Sequence, residues 1–157
     1  MNAGPPTSPG PRSSLELVLP SSAEHLAFLR ACAQWFCEYQ GISATATSRA
    51  VLGLVEAVSN VIRHAYGGSP HGSIQVRFRA SDEALEFELI DDGRSVPPAT
   101  IEASCATGDE HGGRGILLMK KCMDGLRYEQ RPEGGGRLVL TMGRDPPLGR
   151  ATAAESR

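Results

Sequence analysis

The sequence predicts an α+β two-layer sandwich. Short runs alternate apolar and polar residues at strand period, and longer runs repeat apolar residues at helical spacing. The strand-like runs come in hairpin-like pairs with the helices grouped, rather than in βαβ alternation.

Each element follows from local chemistry. Leu15, Leu17 and Leu19 alternate with Glu16 and Val18, a strand that Pro20 ends. Ser21 and Glu24 have capping-box spacing, and Leu26, Leu29, Ala33 and Phe36 continue at helical spacing to about Gln40. Gly41 stops that helix. A second helix is expected from near Ser43 to near Tyr66, with Val51, Leu54, Val55, Val58, Val61, Ile62 and Ala65 as its apolar stripe. Ile74, Val76 and Phe78, then Leu85, Phe87 and Leu89, predict two strands around a turn at Ser81, Asp82 and Glu83. From Asp92 to Gly113 the chain reads as a long loop, with room for one helical turn at Ile101 to Cys105. Gly115 to Met123 reads as a short helix. Leu126 and Tyr128 start a strand, the glycines up to Gly136 turn the chain, and Leu138, Leu140 and Met142 mark the last strand.

Length and composition bound the rest. The chain has 157 residues, enough for one domain with an ordinary core. The proline-rich stretch 1–12 and the polar stretch 144–157 are expected to be disordered, which leaves 13–143 as the folded body. Lys plus Arg is 16 against 18 Asp plus Glu, a net charge of -2, which argues against direct nucleic-acid binding or an anionic membrane surface. Aromatics at 5% argue against stacking platforms for single strands. No apolar run approaches the roughly 18 residues that cross a bilayer, and the first residues lack a secretory h-region. The cysteines, Cys32, Cys37, Cys105 and Cys122, form no CxxC pair and are read as reduced in a cytoplasmic protein. Neither they nor the histidines have zinc-ligand spacing.

Three segments carry candidate chemistry. On the second helix, Glu56 and Asn60 share one face, nearly opposite the apolar stripe, with Arg63 and His64 flanking it. The plain reading is a solvated polar face. The alternative is a site in which Glu56 is a general base and Asn60 an oxygen ligand to Mg²⁺. In the second segment, the parity of Leu85, Phe87 and Leu89 continues to Asp91, which places a carboxylate on the core side just before Asp92 and Gly93. Its side chain either bonds local amides or accepts a hydrogen bond from the exocyclic amine of a ligand. Third, Gly108, Gly112, Gly113 and Gly115 lead into a helix with Arg114 among them, either a plain flexible cap or a phosphate-binding helix start. No Walker A or GxSxG pattern is present.

In order and separation, these segments resemble the GHKL nucleotide-binding superfamily. EAVSNVIRHAYG, Glu56 to Gly67, resembles its N-box. IDDG, Ile90 to Gly93, resembles its D-x-G box, and GGRGILLMKKCMD, Gly112 to Asp124, its second glycine box. The resemblance is nearest to the small anti-sigma-factor serine kinases, called RsbW-like, and spans Leu15 to Met142. It implies the Bergerat fold, a mixed, mostly antiparallel sheet with helices on one face, and a site for ATP and Mg²⁺. By that resemblance Glu56 is the catalytic base, Asn60 holds Mg²⁺ and Asp91 binds the adenine amine beside Gly93. Gly113, Arg114 and Gly115 lie at the phosphates, and the loop up to Gly113 is the lid. Nucleotide contacts extend to Arg63, His64, Gly112, Ile116 and Thr141.

Two positions depart from the family pattern: Ser95 replaces the last glycine of D-x-G-x-G, and Arg137 follows Gly136 in the late Gly-Thr box, with Thr141 further on. No phosphoacceptor-histidine helix precedes the first strand, so a complete sensor histidine kinase is not expected. The implied function is a serine/threonine-protein kinase and anti-sigma factor that phosphorylates a STAS-type anti-anti-sigma partner and holds a sigma factor or other client. The alternative is a non-catalytic, ATP-dependent binding switch. A homodimer is also implied, and Phe28, Trp35 and Tyr39 on the first helix either form a partner surface or complete the core.

Overall fold

The computed structural model describes residues 13–95 and 113–144. The stretches 1–12 and 145–157, the helical turn expected at Ile101 to Cys105, and the lid up to Gly112 lie outside the described residues.

Five strands, β1 (Ser13–Pro20), β2 (Ser73–Ala80), β3 (Ala84–Asp91), β4 (Gly125–Gln130) and β5 (Gly136–Gly143), form one sheet in the order β1-β2-β3-β5-β4. All four pairings are antiparallel, where a mixed, mostly antiparallel sheet was expected. The register is set by the period of two. Leu17 pairs with Val76, Val76 with Leu89 and Leu89 with Leu138, so that one face of the sheet is apolar across four strands. Helices α1 (Leu26–Tyr39), α2 (Ala44–Asn60) and α3 (Gly113–Cys122) bury their apolar residues with that face in a single core. Phe36, Phe78 and Phe87 run through it in tilted and edge-to-face contact, with ring centroids 5.4 and 5.5 Å apart.

Helix ends follow sequence chemistry with one exception. Gly41, at φ 72°, closes α1: its N–H donates to Glu38 O at 2.9 Å, and Ile42 N–H donates to Cys37 O at 3.0 Å. Ser43 caps α2 by accepting from Ala46 N–H at 3.3 Å. The exception is the capping box at Ser21 and Glu24, which does not form. Ser21 is buried instead, donating to Ser69 O at 2.5 Å and accepting from Gly72 N–H at 2.9 Å, because the loop between α2 and β2 needs those partners more than the helix start does. A 3₁₀ turn, Ala23–His25, leads into α1.

Arg144 is buried, its guanidinium donating to Gln40 O at 2.9 Å and Gln40 Oε1 at 3.1 Å, which ties the end of β5 to the end of α1. Cys32, Cys37 and Cys122 are free, and burial pushes the Cys37 thiol up to about 12. No helix among the described residues is long and apolar enough to cross a membrane.

The helix-free face of the sheet is charged. At its centre Glu88 is only 2% exposed. Guanidinium groups cover it: Arg137 Nε at 2.5 Å, Arg79 Nη2 at 3.0 Å and Arg77 Nη1 at 3.4 Å. Glu16, Glu86 and Glu129 bind the same arginines from outside. Burial opposes ionisation of Glu88, but the arginines outweigh it and hold its carboxyl below the usual range. Glu88→Ala should therefore cost about 1–3 kcal/mol in urea denaturation. Because the folded-state carboxyl is the stronger acid, the wild type should lose this contribution as pH falls below about 4, and the variant should lack that acid-side decline.

Candidate nucleotide-binding site

The site grows from the C-terminal half of α2. Glu56 and Asn60 are one turn apart and only partly exposed. Beyond Asn60 the helix widens into a π turn, Val61–Ala65. Arg63, three residues after Asn60 and seven after Glu56, lies on the same face, where its Nη2 donates to Glu56 Oε1 at 3.0 Å and to Asn60 Oδ1 at 2.7 Å. Two side-chain oxygens thus converge on one cation. His64, the next residue, is exposed.

Helix α3 roofs this face. A Cβ at Gly115 would collide with Glu56 Oε1 and come within 2.9 Å of Asn60 Nδ2, while one at Gly53 would lie 2.8 Å from Met123 Cε. The glycines let two backbones approach, and they place α3 antiparallel along α2 with its N-terminal turn on Glu56 and Asn60. The polar face of α2 is therefore not simply solvated. Gly113 begins α3, Arg114 is exposed, and Ile116 packs against the core while Met119 enters it. Gly112 lies outside the described residues.

Asp91 ends β3 on the apolar parity, 6% exposed, opposite Gly136 of β5. Burial raises its acid range, and the amides of Gly93 and Gly136 draw it back, the Gly93 N–H reaching Oδ1 at 3.0 Å. Gly93 packs on the end of α2, where a Cβ would stand 2.7 Å from Ala65 O, and Arg94 N–H donates to that same carbonyl at 2.8 Å. Tyr66 completes the joint: its hydroxyl donates to Ser73 O at 2.6 Å and accepts from Asp92 N–H at 3.1 Å.

A family model for the histidine kinase-like ATPase domain matches residues 19–142. The chain belongs to this family. An anti-sigma F factor of Clostridium botulinum (strain Eklund 17B / Type B) is 27% identical over 133 residues, covering 82% of this chain and 92% of its own length. A serine-protein kinase RsbW of Bacillus subtilis (strain 168) is 23% identical over 128 residues, covering 73% and 77%. Among solved structures, the RsbU and RsbW domains of a Mycobacterium tuberculosis protein match with a TM-score of 0.58 at 16% identity. That match covers 85% of this chain and 33% of the other, so the chain spans about a third of that structure, and the likeness speaks for the fold. The mycobacterial sensor histidine kinase MprB matches with a TM-score of 0.53 at 12% identity, over 85% of this chain and all of that one.

Within the histidine kinase-like ATPase fold, the donor set fits a nucleotide with a hard cation. Glu56 and Asn60 offer oxygen to a positive group, as their hold on Arg63 illustrates, and the buried Asp91 carboxylate suits an exocyclic amine. Thr141 is not brought to this set. Its register, opposite Glu86 and Gly125, puts it on the charged face of the sheet, five residues along β5 from Gly136 or roughly 16 Å. The expectation of a nucleotide contact there is corrected by strand parity. Arg137 faces the same way, onto Glu88, so it does not intrude on Asp91.

Ser95, the other departure, donates from Oγ to Gly135 O at 2.8 Å. The sequence reading missed Arg131, which bonds the Asp91 carbonyl from 40 positions away, a separation that no local pattern reveals. Gly135 is the most demanding position, at φ 79° with a would-be Cβ on the backbone of Asp91. Gly135→Ala should destabilise by about 1–3 kcal/mol in urea melts, because a side chain there strains a positive φ and meets backbone that cannot move aside.

Proposed function

We propose that this chain is an ATP-dependent serine/threonine-protein kinase and anti-sigma factor of the cytoplasm, which phosphorylates a STAS-type anti-anti-sigma protein and holds a sigma factor or other regulatory client. The observation that carries the reading is the convergence of the N-box pair, Glu56 and Asn60, on Gly115 at the start of α3, with Asp91 buried in the same molecule. The anti-sigma F factor and RsbW kinases among the relatives support it.

Each residue has a role that its surroundings favour. Asp91, acceptor-only when ionised, takes a hydrogen bond from the amine of adenine and repels the carbonyl oxygen that guanine presents there. Asn60 would hold Mg²⁺ through Oδ1, and the N-terminal turn of α3, from Gly113 to Gly115 with Arg114, would face the phosphates. Arg63 is within reach of the same groups, with His64 beside it. Bound ATP·Mg²⁺ supplies the phosphoryl group and the charge that neutralises it. Glu56 is the base for an acceptor serine or threonine hydroxyl.

A second reading, a non-catalytic switch in which ATP only shapes the partner surface, is favoured by one observation: Glu56 is engaged by Arg63. Calorimetry and a transfer assay separate the possibilities. Wild type should bind ATP in a Mg²⁺-dependent manner and prefer it to GTP, and Asp91→Asn should lose at least about tenfold in affinity. Glu56→Gln should keep ATP binding but lower phosphoryl transfer to a STAS-type partner by about 10²–10⁴-fold. Partner regulation that survives unchanged in Glu56→Gln would favour the switch.

A further inference from the structure

Asp91 ends β3 and Asp92 follows it, and like charges at adjacent positions oppose each other's ionisation. Arg131, at the start of the β4–β5 turn, answers this pair. Its Nη1 donates to the Asp91 carbonyl at 3.0 Å and to Asp92 Oδ1 at 2.5 Å, and its Nη2 donates to Glu133 Oε1 at 2.7 Å. One planar fork thus joins the nucleobase strand to a hairpin turn 40 positions away.

The turn is itself held rigidly. Arg131 N–H donates to Gly135 O at 3.2 Å, and Gly134 N–H returns to Arg131 O at 3.0 Å. Ser95 Oγ donates to the same Gly135 carbonyl at 2.8 Å. Gly134 and Gly135 adopt φ of 102° and 79°, and a Cβ on Gly135 would collide with the backbone of Asp91. The loop after β3 and the turn before β5 are therefore in close backbone approach, tied by both Arg131 and Ser95.

We infer that Arg131 is a positioning residue for nucleobase recognition: it fixes the Asp91–Asp92 backbone against the β4–β5 turn and offsets the Asp92 charge, so that Asp91 presents its carboxylate to the base. Ser95 is the second tie and takes the place of a glycine whose flexibility the loop would otherwise have. The inference rests on the reading of Asp91 as the adenine acceptor. The groups that face Asp91 are Asp92 on its own strand end, Arg131 from the turn, Tyr66 from the end of α2, and Tyr128 of β4 beside Gly136. Burial raises the acid range of Asp91 and Asp92 adds to that, while Arg131 lowers it. Only the carboxylate accepts the amine, so ATP binding weakens as pH falls through that range, and loss of Arg131 moves this acid limb to higher pH.

The test is ATP calorimetry between about pH 5 and 8 on the full chain, with urea midpoints recorded for every variant. Arg131→Met should weaken binding about tenfold and shift the acid limb upward. Arg131→Lys keeps the charge without the fork, so it should restore the limb but not the full affinity. Ser95→Ala should weaken binding while leaving the limb in place. Wild-type affinity and an unmoved limb in Arg131→Met would overturn this inference alone. A wild type that binds no ATP would overturn it together with the kinase reading.

Discussion

A carboxylate on the apolar parity of a central strand is the constraint around which this molecule is arranged. β3 lies between β2 and β5, and Leu85, Phe87 and Leu89 must all face the helices. The same period of two carries Asp91 inward. An unpartnered carboxylate there would be expensive, so its surroundings are built from donors: the Gly93 and Gly136 amides at the carboxylate and the Arg131 fork just behind it. Glycine is required where the loop before residue 95 and the turn before β5 crowd the strand end, since a side chain at Gly93 or Gly135 would strike backbone.

The helical half of the site obeys a different requirement, close approach. α2 and α3 touch through Gly53 and Gly115, which brings the positive end of a helix onto two oxygen-bearing side chains. Arg63 sits among them because positions 56, 60 and 63 share one helical face. Its charge compensates Glu56 and leaves the Asn60 amide oriented with Oδ1 toward a cation. The two halves meet where Gly93 and Arg94 rest on Ala65, so Asp91 and the Glu56–Asn60 pair share one support.

The two outer faces are unlike each other. On the open face of the sheet Glu88 is covered by Arg77, Arg79 and Arg137. The outer side of α1 instead exposes Phe28, Trp35 and Tyr39, with the Trp35 and Tyr39 rings stacked at 5.3 Å. These aromatics do not complete the core, which settles one of the two readings their spacing allowed, and patches of this kind are common at interaction surfaces.

Local chemistry in the sequence determined the strand parities, the helix limits at Gly41 and Ser43, the shared face of Glu56 and Asn60, and the inward aim of Asp91. Each depends on residues within a few positions of one another, where period and turn chemistry are decisive. Tertiary structure decided the rest. Ser21 left its helix for the loop at Ser69 and Gly72, and Arg131 and Ser95 reached Asp91 and Gly135 across 40 positions. Those outcomes turn on which buried donors and acceptors lack partners once the sheet has closed. That is a property of the packed molecule, because a polar group in a chain open to water has no need to choose.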